Sequence, residues 1–180
     1  MVHILVYRGG ALARLGHNHV LSSMQLEGSV AFDPDVSRSY LELALPVGGL
    51  IVDDAQARAS QGEDFVAAVP EEARQGTRAN LLRAEVLDAE GYPSITLRST
   101  HIEGSATAPM LTLQVTLKGQ AREVVLPVQV GYGPNRLVAT GAFSLKQTDF
   151  GITPFSAALG AIQVQDEVRI VFSIVAISGT

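Results

Sequence analysis

The chain has 180 residues, a hydrophobic fraction of 47% and a charged fraction of 17%, which suits one domain over 1–180 with a substantial apolar interior or cavity. Its formal net charge of -5, without long runs of one sign, speaks against a nucleic-acid surface and against docking to anionic lipid. The absence of cysteine excludes disulfides, thiolate chemistry and Cys-ligated metals. A spanning helix needs roughly 18–20 apolar residues. The nearest candidate, Val168 to Ile177, is interrupted by Arg169 and Ser173, so no membrane-spanning segment is expected.

In chain order, Val2 to Tyr7 reads as a strand that Gly9-Gly10 ends, leaving no room for a leader before it; a leader is either lacking or trimmed. Ala11 to Leu15 suits one helical turn, and a second strand is expected over Val20 to Phe32, with Leu26, Gly28, Val30 and Phe32 on one face. Asp33-Pro34-Asp35 is a turn signal, and Tyr40 to Val47 alternates as a third strand closed by Pro46 and Gly48-Gly49.

Alternation is lost from Leu50 to Gly91. Ser60 to Glu63 has the spacing of a capping box, and Pro70-Glu71-Glu72 opens a helix over part of Pro70–Glu90, with Ala79, Leu82 and Val86 as its apolar stripe. One or two short helices are thus expected between strands 3 and 4.

Strands resume after Pro93. Ile95, Leu97, Ser99 and His101 fall in one phase, and a loop from Glu103 to Pro109 follows. Leu111, Leu113, Val115 and Leu117 alternate with polar residues, pass Lys118-Gly119-Gln120, and continue as Val124, Leu126, Val128 and Val130, the pattern of an antiparallel hairpin. After a turn at Gly131–Asn135, Leu137 to Leu145 forms another strand, Thr148 to Gly160 a loop, and Val164 to Ile177 the last strand, apolar on both faces beyond Arg169 as a central strand or one over a second layer would be. About eight strands at this spacing predict a mainly β antiparallel sandwich or barrel.

The run Leu87–Ser99, then Leu111-Thr112-Leu113 with Leu117-Lys118-Gly119 and Val124–Pro127, followed by Thr148–Ile152 and Val164–Val168, resembles the YceI family of lipocalin-like proteins over nearly the whole chain. The resemblance implies an extended eight-stranded antiparallel barrel whose apolar lumen holds a long amphipathic lipid, such as a polyisoprenoid or isoprenoid quinone, without catalysis and without a cofactor. It also implies export to the bacterial periplasm, with cytoplasmic residence as the alternative. Gln147 stands where many members have arginine, and the Gly16–His19 stretch is richer in histidine than the family pattern.

Lining residues follow from the alternation: Val30, Phe32, Leu97, His101, Leu113, Val115, Leu117, Phe143, Leu145, Phe155, Ile170 and Phe172. They either enclose a ligand, each buried methylene contributing about 0.8 kcal/mol, or simply fill the barrel. His17, His19, Arg98 and Lys146 are the candidates for a rim or head-group contact, with Arg122 as a further cation. Two other functions stay open at this level. His17 and His19, joined by His101 or His3, could build a metal site for a metal-dependent enzyme, and a filled core would make the domain a ligand-free interaction module. Exposed edges of a partly closed barrel offer a route to a homodimer.

Overall fold

The computed structural model describes residues 1–178. In it Val2–Gly9 (β1), His19–Ser23 (β2), Glu27–Ala31 (β3), Tyr40–Pro46 (β4) and Ile51–Val52 (β5) precede two helices, Ala55–Ala59 (α1) and Glu71–Leu81 (α2). Ser94–Ser105 (β6), Ala108–Leu117 (β7), Gln120–Gly133 (β8), Arg136–Lys146 (β9), Ser156–Ala157 (β10) and Ile162–Ile177 (β11) complete one antiparallel sheet. Its order is β3-β4-β6-β7-β8-β9-β11-β1-β2-β5, with β10 on β11.

The predicted second strand is two strands. β2 pairs with β1 and β5, β3 pairs only with β4, and the three residues between them carry the chain from one end of the hydrogen-bonded path towards the other. The sheet therefore curls into an incompletely closed barrel. This break, with the two-residue β5 and β10, raises the count from the predicted eight to eleven among the described residues.

The hairpin forms as the sequence demands. Lys118 and Gly119 both take positive φ, 51° and 73°, the geometry of a two-residue turn that matches strand twist, and β7 pairs β8 from Met110↔Pro127 to Leu117↔Gln120. The expected loops at 103–109 and 131–135 shorten to tight turns because the strands run further.

The helical excursion is anchored by polar side chains. Asp54 caps α1 by accepting from the Gln56 and Ala57 amides. Ser60 ends α1 instead of starting a helix, so the capping-box spacing is not used as such. α2 begins behind Pro70 with Glu71 and Glu72 in its first turn, where the macrodipole favours acids. It stops at Leu81, and Ala79 of the predicted stripe is exposed while Leu82 and Val86, just beyond the helix, pack against the barrel core; within α2 the half-buried residues include Ala73, Thr77 and Leu81. The Arg78 guanidinium donates to the Leu50 and Gly48 carbonyls and ties α2 to the segment after β4.

Two apolar clusters result. The larger lies inside the barrel around Leu45, Leu111, Val115, Leu126 and Phe150. The smaller joins Leu5, Val20, Ala57 and Phe65, with Tyr7 and Val171 against it. Both readings of the two-faced apolar run of β11 apply, since the strand lies inside the sheet order between β9 and β1 and Val171 packs against this second cluster. No helix among the described residues is long and apolar enough to cross a membrane.

Candidate functional site

Alternation along the strands fixes which side chains meet inside. Val2, Ile4 and Val6 of β1 stand opposite Ser23, Leu21 and His19 of β2, and Ile4 pairs with Ile170 of β11. On β4, Leu41, Leu43 and Leu45 point inward, with Leu43 beside Leu97 and Leu45 beside Ile95 of β6. These faces enclose a cavity of about 520 Å³ running through the barrel. That lies within the range of roughly 300–1,000 Å³ usual for ligand sites.

Every apolar residue of the predicted lining borders this space. Val30 and Phe32 do so from the β3 end, Leu97, Leu113, Val115 and Leu117 from β6 and β7, and Phe143 and Leu145 from β9. Ile170 and Phe172 border it from β11, and Phe155, 48% exposed, from the loop before β10. Leu113 and Val115 belong to the inner apolar cluster, and Leu97, Leu117, Phe143, Leu145 and Phe172 pack against it, so the lining both borders the cavity and forms its core wall.

His101 is the exception. The pairing of β6 with β7 shifts between Ser99↔Leu113 and His101↔Thr112, so one extra residue enters the strand and Ile102 takes the inward place opposite Leu111. His101 is turned outward, its side chain 61% exposed, with Nε2 3.3 Å from Glu103. The expected phase with Ile95 and Leu97 is broken by this bulge. Arg98 and Lys146 neighbour the inward Leu97 and Leu145, so they project to solvent, and Arg122 is also exposed. Among the described residues no lysine or arginine lines the cavity.

Sheet register separates the two ends of the cavity. At one lie the start of β2 and the ends of β4 and β9, and here α2 contributes Ala73, Gly76, Thr77 and Asn80 to the lining. His19 and Gln147 also border the cavity at this end. At the other end, Phe32 stacks at 4.6 Å on Tyr132.

His19 is tied to a buried charge network. Its Nδ1 lies 2.6 Å from Asp53 Oδ2, and Asp53 Oδ1 accepts from the Val20 amide at 2.9 Å and from Arg58 at 2.5 Å. The Asp53 side chain is fully buried and that of Arg58 8% exposed. Arg58 also donates to the Asn18 and Ala67 carbonyls, and its guanidinium lies 5.8 Å from the Phe65 ring centre. Burial raises the Asp53 pKa, but the hydrogen bonds from His19, the Val20 amide and Arg58 outweigh it and hold the carboxyl below its ordinary range. His17 is half-buried beside His19, ring centres 6.3 Å apart, and does not border the cavity.

The proposed histidine metal site is not assembled. His101 faces outward, His3 is buried against Gln61 at 2.8 Å, and no group of three or more His, Cys, Asp or Glu side chains among the described residues is arranged to hold an ion. Asp53 and Arg58 escaped the sequence reading, which singled out neither. Their signal was faint: an Asp pair closing β5, with an arginine one helical turn on, in a chain with few charges.

A family model described as YceI-like domain matches residues 19–176. The crystal structure of BcnA from Burkholderia cenocepacia is similar with a TM-score of 0.67 and 18% identity, covering 97% of this chain and 96% of that one. A YceI protein from Campylobacter jejuni gives 0.64 and 13% over 89% and 85%. A polyisoprenoid binding domain from Saccharophagus degradans, implicated in plant cell wall breakdown, gives 0.60 and 10% over 99% and 93%. At these identities the likeness speaks for the fold alone. No curated protein matches the chain by sequence.

Proposed function

The chain belongs to the YceI-like domain family, and from that premise we propose that it binds and carries a long-chain amphipathic lipid, of the polyisoprenoid kind, in its barrel cavity. It holds the ligand and does not convert it. The observation that carries this reading is a cavity of about 520 Å³ whose walls are aliphatic and aromatic along the barrel, with the polar side chains His19, Thr77, Asn80 and Gln147 at one end and Ser39 and Tyr40 at the other. An oily tail gains about 25 cal/mol per Å² of apolar surface removed from water, without needing a specific polar partner. The polar residues at the cavity ends suit a small head group. A solved structure of similar fold is a polyisoprenoid binding domain, which accords with a ligand of this class.

Gentle purification followed by native mass spectrometry and organic extraction tests the proposal. The expected result is a stoichiometric apolar lipid, or stoichiometric uptake of added polyprenol by stripped protein. Absence of both would overturn it.

A further inference from the structure

Two loops meet beyond the strands at the end of the barrel where β1 and β9 finish and β11 begins. One follows β1 and the other precedes β11, and the Leu12 amide of the first donates to the Ala161 carbonyl of the second at 2.7 Å. Gly10 lets them close, since its φ is +86° and a Cβ there would stand 2.5 Å from the Ala161 oxygen. In the first loop a tight helical turn over Ala13–Leu15 brings Leu12 and Leu15, three residues apart, to the same side, and Leu15 is 63% exposed. In the second, Ala158, Leu159 and Gly160 all take positive φ, 50°, 54° and 90°, and Leu159 is fully exposed. Two consecutive non-glycine residues in this region are strained, and what the strained backbone presents to solvent is a leucine. Phe155, four residues earlier, joins this surface to the interior, being exposed itself and bordering the cavity.

None of the chain's 18 acidic residues falls in 9–19 or 150–165, and the one lysine or arginine in these segments is Arg14, exposed between Leu12 and Leu15. An acid-free apolar tip with a single cation complements the surface of a bilayer, where apolar side chains enter the acyl boundary and a cation stays among the head groups. A protein partner or a second copy packs over a broad complementary face, whereas this surface consists of two protruding turns. We propose that the two loops dock the barrel on a lipid bilayer: Leu12, Leu15 and Leu159 enter the interface, and Phe155 forms the threshold over which an apolar molecule passes between bilayer and cavity. The inference rests on the lipid-binding reading above. The contact is apolar, so it needs no anionic lipid and the net charge of -5 does not oppose it.

The chain has no tryptophan, so Leu159→Trp supplies a single reporter at the tip. Phosphatidylcholine vesicles are expected to shift its emission to the blue, and lipids brominated on their acyl chains to quench it. Ile177→Trp, exposed at the opposite end of β11, should respond to neither. The unlabelled wild-type chain should co-sediment with the same vesicles, and Leu159→Asn should lower that partition about tenfold, the effect of withdrawing one leucine from an apolar phase. Asparagine tolerates left-handed φ, so this variant should keep its fold, which urea unfolding checks. A Leu159→Trp reporter indifferent to vesicles, an equal response from Ile177→Trp, or a blue shift that grows with protein concentration in the absence of lipid, the mark of a second copy, would each overturn the inference. Uptake of polyprenol from detergent micelles is measured on the same protein. Uptake with an indifferent reporter overturns the docking alone, and no uptake overturns the lipid-binding reading and this inference with it.

Discussion

Replacing Asp53 with Asn tests whether the buried ion cluster holds the helical excursion against the barrel. The exchange keeps size and tolerates the left-handed backbone at this position, where φ is 54°, so little strain is added. It removes the charge facing Arg58, whose side chain is only 8% exposed. An arginine stranded in this way costs about 3–5 kcal/mol, a large part of the roughly 5–15 kcal/mol that holds a typical domain together. For a chain of this length that corresponds to a fall in Tm of about 6–20 °C. Calorimetry, together with urea unfolding at unchanged m-value, measures it. The double variant Asp53→Asn/Arg58→Met should recover part of the loss, because the stranded charge is gone. A fall in Tm under about 3 °C, or a double variant that loses the sum of the singles, would refute the cluster as a coupled unit.

The same carboxylate sets an acid limit. Its pKa is depressed in the folded chain, so its contribution is complete above the unfolded value of about 3.9 and is lost as pH falls through the folded value. The stability gap between wild type and Asp53→Asn should therefore shrink below about pH 4, and a gap independent of pH would contradict this. Gly28 has φ of +135° and an added Cβ would stand 2.1 Å from the Glu42 carbonyl oxygen, so Gly28→Ala should cost more than about 2 kcal/mol in urea unfolding. Gly76 lies inside α2 with nothing within 4 Å of such a Cβ, and Gly76→Ala should gain about 0.5–1 kcal/mol by the same measurement. Ala139 borders the cavity and is half-buried, so Ala139→Phe should occupy ligand space and lower the lipid-bound fraction in native mass spectrometry by about tenfold, with less than about 1.5 kcal/mol change in stability.

Strand alternation made most of the lining legible, because a period of two states which side chains face inward wherever the strand is regular. Val30, Leu113, Val115, Phe143 and Ile170 could be placed from the sequence for that reason. His101 could not, since a bulge is a one-residue slip with no composition signal and reverses every assignment beyond it. The break at Met24–Leu26 was missed because Leu26, Val30 and Phe32 share one phase after it, although the inward places pass from odd-numbered His19 and Leu21 to even-numbered Leu26 and Val30 across it. The His19–Asp53–Arg58 cluster joins residues 34 and 5 positions apart, and such contacts depend on tertiary packing, which local pattern does not encode. Of the stripe expected for the helix, Leu82 and Val86 do pack inward and Ala79 does not, because a short helix with small side chains carries little apolar signal.

The junction of β2 and β3 gives the vessel a seam. Elsewhere along the path from β3 to β2, neighbouring staves are held rung by rung. Here the two run end to end through Met24, Gln25 and Leu26. At that line the wall is joined by the backbone of three residues and not by a hydrogen-bonded ladder.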